Sequence, residues 1–411
     1  VTRLWPLLAL GACDPWAAWP DPTTVYPYVY TPEEGLPDYA HVRVETETFT
    51  PLVDPEPTAL YLEKSFAHRP GAPVESLLHF GQQRQLPVPP KPDDVLLDLA
   101  GDVLPVDGVD LSAIEPLLTG DLALANLETP TAPGVDTVDS LYAFNADPSL
   151  VDALPFDVLQ LNNNHSLDAG DEGLRATVAA VRARDRVALG VSDHALVRVK
   201  GTTIALLSYT WGLNVDAPTA HDLFVVPFGH LQPIDLSRIR DDVLNARARG
   251  AELVVVLAHW GYEYEYYPDP LQMQRAREIV AAGADLVVGH GPHVAQPVEI
   301  CSVDQPSQFP GVGTCSVRSP DERPRVAAIF YSLGNLTSTM LTVPTQVGLL
   351  AQVSLRPDRG VTGLDWVPVA QLDADGGGPR VVPLDEAVDD PALLEESLRL
   401  DAHVGGRWRR R

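Results

Sequence analysis

A chain of 411 residues can hold one large domain with appendages or two domains, and 45% apolar against 21% charged residues is the balance of a globular protein with a sizeable core. Its 56 acidic residues give a net charge of −27, a field that repels nucleic-acid phosphates and anionic membrane surfaces and so argues against DNA or RNA as a partner. An anionic substrate stays open, because bound divalent cations reverse the sign of the field locally.

At the N-terminus Arg3 precedes an apolar run, Leu4 to Leu10, that leads into Gly11-Ala12-Cys13. The string Leu10-Gly11-Ala12-Cys13 resembles the box of a bacterial lipoprotein signal, which is cut before a cysteine that then carries lipid. A plain secretory signal or an irregular tail would account for the same run. The expectation is an exported protein with residues 1–13 as signal and lipobox, anchored by lipid on Cys13. No later stretch approaches the ~18 uninterrupted apolar residues that a spanning helix needs. Residues 14–92 read as a Pro-rich tether and extension, with Pro15, Pro20, Pro22, Pro27, Pro32 and Pro37 early and Pro87, Pro89, Pro90 and Pro92 late. Within it, 59–80 is less irregular and could pack on the main domain.

From Val95 onward, short apolar runs alternate with helical patterns, as in an α/β domain over 93–350. The predicted strands are Val95–Ala100, Leu122–Ala125, Val158–Leu161, Ile204–Ser208, Leu253–Ala258, Leu286–Val288 and Val326–Tyr331. The predicted helices are Gly173–Ala183, Leu236–Ala248 and Leu271–Ala282, the last stopped by Gly283 at a C-cap position. Residues 351–411 add strand-like runs, an acidic helix and the basic end Arg407-Trp408-Arg409-Arg410-Arg411. Cys301 and Cys315 flank a Pro/Gly/Ser-rich loop that an oxidising compartment would close as a disulfide. Without a nearby histidine they make a poor zinc site.

Polar residues able to hold a metal recur where these strands end. Asp102 follows the first strand; Glu128 follows the second in Asn126-Leu127-Glu128-Thr129-Pro130. The third runs into Asn162-Asn163-Asn164-His165-Ser166-Leu167-Asp168, and later strands end in His259-Trp260-Gly261-Tyr262-Glu263 and His290-Gly291-Pro292-His293. Tyr331-Ser332-Leu333-Gly334-Asn335 completes the set. Any one of these would pass for a turn or a helix cap. Six together point to one crevice, since ligands of open α/β sheets bind at the carboxyl ends of the strands. Carboxylate, amide oxygen and imidazole without thiolate suit Mn²⁺, Fe²⁺, Zn²⁺ or Mg²⁺, and a bridging carboxylate could hold two such ions ~3.5–4 Å apart. His165, with Asp168 three residues on, suits a general acid oriented by a carboxylate. The competing reading makes Asp168 the cap of a helix starting near Asp171.

The ordered motifs Gly-Asp, Asn-Leu-Glu-Thr-Pro, Asn-Asn-His-x-x-Asp-x-Gly, His-Trp-Gly-x-Glu, Gly-His-Gly-Pro-His and Tyr-Ser-Leu-Gly-Asn resemble the CapA family of capsule and poly-γ-glutamate synthesis proteins, within the calcineurin-like metallophosphoesterase superfamily. The resemblance spans roughly residues 95–350 and implies a four-layer α/β/β/α sandwich, exported and membrane-associated. Carried over, it makes Asp102, Glu128, Asn164, His259, His290 and His293 metal ligands, Glu128 the bridging one, and His165 the acid with Asp168 beside it. The usual Asp-x-His opening is absent, because Val103-Leu104 follow Asp102, and His290 is the candidate replacement. The implied function is a metal-dependent hydrolase in the synthesis, anchoring or release of an anionic cell-surface polymer, in company with a membrane synthase. A general phosphoesterase and a non-catalytic polymer-binding lipoprotein subunit are the alternatives.

Overall fold

The computed structural model describes residues 91–139, 142–214, 223–224, 236–268, 270–305, 314–373, 378–401 and 404. The expected signal, Cys13, nearly all of the Pro-rich extension and the basic tail lie outside them. Among the described residues no helix is long and apolar enough to cross a membrane.

Strands β1 (Val95–Val103), β2 (Leu122–Leu127), β3 (Val158–Gln160) and β4 (Val187–Leu189) run parallel, with helices α1 (Ser149–Ala153) and α2 (Gly170–Arg182) in the crossovers. A second parallel run comes next, β6 (Thr202–Thr210), β7 (Leu253–His259) and β8 (Leu286–His290), preceded by β5 (Ala195–Val199) antiparallel to β6. Helices α3 (Ser237–Ala248) and α4 (Pro270–Ala282) connect these strands. Then come β9 (Val298–Val303), β10 (Thr314–Val317), β11 (Arg325–Phe330), β12 (Asn335–Thr337), β13 (Val347–Arg356), β14 (Gly360–Leu372), β15 (Arg380–Pro383) and helix α5 (Pro391–Leu400).

The strands order as β4-β3-β2-β1-β13-β14-β11-β8-β7-β6-β5. The step from β14 to β11 rests on one residue pair, Val326 with Gly360, so it works as the fold line between two halves. Side-chain alternation makes the halves face each other. In β6 and β7, Ile204, Leu206, Leu253, Val255 and Leu257 pack in one core with Leu97, Leu99, Leu124, Val158 and Leu189 of the first half. The intervening Ala205, Leu207, Val254, Val256 and Ala258 pack outward on Ile239 and Val243 of α3 and Met273, Ala276 and Ile279 of α4. On the opposite outer face, Ala125 and Leu159 pack on Leu150 and Val151 of α1 and Leu174 and Val181 of α2. Helix, sheet, sheet, helix is the four-layer order the motifs imply. Burial on both faces is why Leu253–Ala258 reads as an unbroken apolar run instead of an alternating one.

The helices lie within three residues of their predicted bounds. α4 ends as expected: Gly283 has φ +126°, and paired bonds from Gly283 N to Val280 O and Ala284 N to Ile279 O close its last turn. The strands differ more. β1, β2, β7 and β8 run one to three residues past the apolar runs, so Asp102, His259 and His290 lie inside strands and not beyond them. Ladder pairing continues where polar side chains find partners: Asp102 is registered with Asn126 and Asn335, and His259 with His290. Likewise β13 runs through residue 350 and pairs with β1, which makes the strands after 350 part of the same sheet. Cys301 and Cys315 are directly registered on β9 and β10 and are joined as a disulfide.

Candidate metal centre

β1 and β12 meet so closely that a Cβ on Gly101 would lie 1.9 Å from Gly334 O. That approach lets Asp102 N donate to Gly334 O at 2.9 Å and sets Asp102 beside Asn335. Gly291 N, at the end of β8, donates to Asp102 Oδ2 at 3.1 Å. Asp102 is thereby held between the two halves of the sandwich, fully buried.

Around it, His290 Nδ1 lies 3.2 Å from Asp102 Oδ1 and His293 Nδ1 3.4 Å from Oδ2. Glu128 Oε1 lies 3.4 Å from His259 Nε2 and 3.8 Å from His293 Nε2. One donor atom each from Asp102, Glu128 and His259 falls within 4.8 Å of the others. Five of the predicted ligands therefore form one buried cluster. His290 stands against Asp102.

Supporting polar groups fix these side chains. Asn126 Nδ2 donates to Asp102 Oδ1 at 2.9 Å and lies 3.4 Å from His259 Nδ1. Asn335 Oδ1 is 2.9 Å from His293 Nδ1, which leaves His293 Nε2 to face Glu128. His293 itself has φ +60°, a left-handed conformation that costs a non-glycine residue about 1 kcal/mol or more and is kept only where surroundings enforce it.

The loop after β3 carries the remaining predicted residues. Asn163 wires it: its Oδ1 accepts from His165 N at 3.1 Å, and its Nδ2 donates to Leu127 O at 2.8 Å and Asn126 Oδ1 at 3.1 Å. This chain of amides joins the His165 pocket to the five-residue cluster. His165 Nδ1 is 2.6 Å from Asp168 Oδ2, which also accepts from Phe144 N at 2.7 Å. Phe144 stacks on the imidazole, centroids 4.3 Å apart. The capping alternative for Asp168 is not what the structure holds, because α2 begins after Ala169 with no side-chain cap.

Asn126, Asn163 and Asn335 lie inside the sequence motifs without a role assigned from the sequence, and Phe144 and Asn214 lie outside every motif. Nothing in the local pattern marks the last two, which reach His165 from 21 residues before it and 49 after it.

The donor set fits a cation. Glu128 Oε1 and Oε2, Asn164 Oδ1 and His290 Nε2 are buried without a hydrogen-bond partner among the described residues. Buried polar atoms of this kind cost about 1–3 kcal/mol each unless something pairs with them, and a divalent ion would. The titration pattern agrees. Burial opposes ionisation of Asp102, but His290 and His293 outweigh it and hold the carboxyl well below its usual range. Burial depresses His259 to about 3, so it is a neutral imidazole ready to donate a lone pair. His293 goes the other way: burial opposes its charge, yet Glu128 and Asp102 raise it to about 10.

A metal must displace the proton that His293 holds below that value, so uptake releases a proton and affinity rises with pH towards about 10. Titration calorimetry at neutral pH in two buffers of different ionisation enthalpy should give Mn²⁺ binding enthalpies that differ by the worth of at least one proton. Identical enthalpies would contradict this protonation pattern.

Residues 102–340, more than half of the chain, match the family profile described as bacterial capsule synthesis protein PGA_cap. The chain is similar to the capsule biosynthesis protein CapA of Bacillus anthracis, 30% identical over 267 residues, covering 62% of this chain and 56% of that protein. It is also similar to the PGA biosynthesis protein CapA of Bacillus subtilis (strain 168), 28% identical over 300 residues and 69% of each. Among solved structures, the Haemophilus influenzae NAD nucleotidase NadN aligns over 75% of this chain and 63% of its own, at 13% identity and a TM-score of 0.41. The chain thus spans just over half the length of the Bacillus anthracis relative.

Proposed function

Because the chain belongs to the bacterial capsule synthesis protein family PGA_cap, we propose that it is a metal-dependent hydrolase acting on a capsule polymer of the poly-γ-glutamate type. The observation that carries the reading is the buried Asp102, Glu128, His259, His290 and His293 cluster, with its partnerless oxygens and nitrogens, next to an oriented His165. Asn164, whose Oδ1 is buried without a partner among the described residues, would join the ligand set, and the six donors would suit one or two divalent ions. Cations held there would polarise the scissile amide or ester and offset the repulsion between a polyanion and a chain of net charge −27.

The protein's own contribution is orientation and a proton. His165 Nδ1 is committed to Asp168, so Nε2 is the atom that gives a proton to the departing nitrogen or oxygen. Asp168 turns the ring so that Nε2 faces away from it, and the Phe144 N–H keeps Asp168 in place. The Cys301–Cys315 disulfide supports a location outside the cytoplasm, in keeping with the signal and lipobox proposed for residues 1–13.

Purified full-length protein with Mn²⁺ should shorten poly-γ-glutamate, read as a shift in gel-filtration profile. His165→Ala should slow this by ~10²–10⁴-fold without loss of Mn²⁺ binding. Turnover of an aryl phosphodiester with the polymer left intact would favour the phosphoesterase alternative. A purified protein that takes up no divalent ion would end the hydrolase reading.

A further inference from the structure

β6 belongs to the second half of the sandwich, yet the turn after it is anchored in both halves. Trp211 N donates to His259 O at 3.0 Å, in the second half, while Leu213 is buried in the core of the first half with Leu161, Val191 and Leu174. Asn214 comes next, and its backbone N donates to Asn164 O at 2.9 Å. Its side chain then meets both functional residues of the β3 loop. Asn214 Oδ1 accepts from Asn164 Nδ2 at 3.2 Å. Asn214 Nδ2 lies 3.4 Å from His165 Nδ1 and 3.3 Å from Nε2.

We propose that Asn214 is a positioning residue that sets the amide of Asn164 with its oxygen towards the metal centre and packs against the imidazole of His165. The inference rests on the reading of Asn164 as a metal ligand and His165 as the proton donor.

The physical reason lies in the amide itself. A primary amide offers an acceptor oxygen on one side and two N–H donors on the other, and a half-turn about its last bond exchanges them. Only the oxygen side can ligate a cation; the flipped amide would point protons at it. Asn164 Oδ1 is buried and has no hydrogen-bond partner among the described residues, whereas Nδ2 is engaged by Asn214. The acceptor from Asn214 therefore selects the ligating orientation before any ion arrives. His165 gains from the same residue. Asp168 fixes one edge of the ring and Phe144 covers a face, but both come from the same half of the sandwich as His165. Asn214 is the contact that ties the ring to the element leading out of β6.

The test uses the full-length protein and two probes, Mn²⁺ by titration calorimetry and Co²⁺ by visible absorption, which reports ligand number and geometry. Asn214→Leu keeps the branched shape of the side chain and removes the acceptor for Asn164 Nδ2. It should lower Mn²⁺ affinity by ~10–100-fold, the range seen when an outer partner of a ligand is lost, and alter the Co²⁺ spectrum. Asn214→Asp keeps the acceptor for Asn164 Nδ2 and should return most of the Mn²⁺ affinity, a rescue that a packing role would not produce. Should the leucine variant fail to fold, Asn214→Ser, polar but too short to reach Asn164, carries the same expectation. Wild-type affinity and spectrum in Asn214→Leu, alongside loss of both in Asn164→Ala, would overturn the proposal while leaving the metal centre intact. No uptake of either ion by the wild type would overturn the metal reading on which it rests.

Discussion

Replacing Glu128 with glutamine is expected to cost Mn²⁺ affinity about 100-fold or more, while leaving the metal-free protein as stable as before or more so. Glu128 is fully buried at the end of β2, and neither carboxylate oxygen has a hydrogen-bond partner among the described residues. Burial pushes its carboxyl well above the usual range, and Asp102, Glu263 and Asp168 add to the rise against the pull of His293. That shift fixes the sign of the stability effect. A carboxyl whose folded value is raised binds a proton that the unfolded chain has lost at neutral pH, so it weakens the fold as pH rises above 4.5. Glutamine keeps the shape and removes that penalty. What it loses is the anionic oxygen that lies 3.4 Å from His259 Nε2 and 3.8 Å from His293 Nε2.

Thermal unfolding with and without Mn²⁺ separates the two effects. The wild type should gain about 2.7 kcal/mol at an ion concentration 100 times its dissociation constant, and the variant close to nothing. A variant destabilised equally with and without Mn²⁺, with unchanged affinity, would mean that Glu128 is a structural group.

Asp285→Ala should show the opposite pattern, a loss of about 3–5 kcal/mol of stability with Mn²⁺ affinity preserved in whatever remains folded. Asp285, immediately before β8, is completely buried and holds three guanidinium groups. Arg247 Nη2 is 2.8 Å from its Oδ2, and Arg323 Nη2 and Arg325 Nε are 2.5 and 3.1 Å from its Oδ1. Val254 N also donates to Oδ2 at 2.9 Å, so the carboxylate stitches β8 to β7 as well as to the arginines. Arg325 is itself fully buried, and without Asp285 it keeps only Asp321 as an anionic partner among the described residues. An uncompensated buried guanidinium is what makes the truncation expensive. His290 lies five residues beyond Asp285 along β8, about 17 Å of extended chain, too far for the truncation to disturb the candidate ligands directly. Chemical unfolding measures the loss, and calorimetry on the folded variant measures the affinity. A drop in Mn²⁺ affinity with little change in stability would show that this reading of Asp285 is wrong.

The candidate ligand set was legible because its members follow or end apolar runs. Asp102, Glu128, His259, His290 and His293 each announce themselves by a polar donor where a buried strand finishes. The helices were legible for a similar reason: Ile239, Val243 and Ala246 repeat at helical spacing on the buried face of α3. Strand ends were harder to place, since polarity at Asp102 and His290 looks like a loop until the neighbouring strand is known to pair with it. The role of Asp168 could not be decided locally. One spacing serves a helix cap and a histidine partner alike, and only the position of Phe144 N beside its carboxylate separates the two.

By itself, then, the sequence determined that an α/β domain would bring hard oxygen and imidazole donors to one end of its strands, because periodic burial and strand-end polarity are local properties. The tertiary structure decided which donors touch, through the close approach of Gly101 to Gly334, the partnering of Asp102 by His290, and the reach of Asn214 from β6 to Asn164 and His165. Those contacts cross from one half of the sandwich to the other, or join strands far apart in the chain. They depend on how the two sheets register face to face, which no stretch of residues encodes alone.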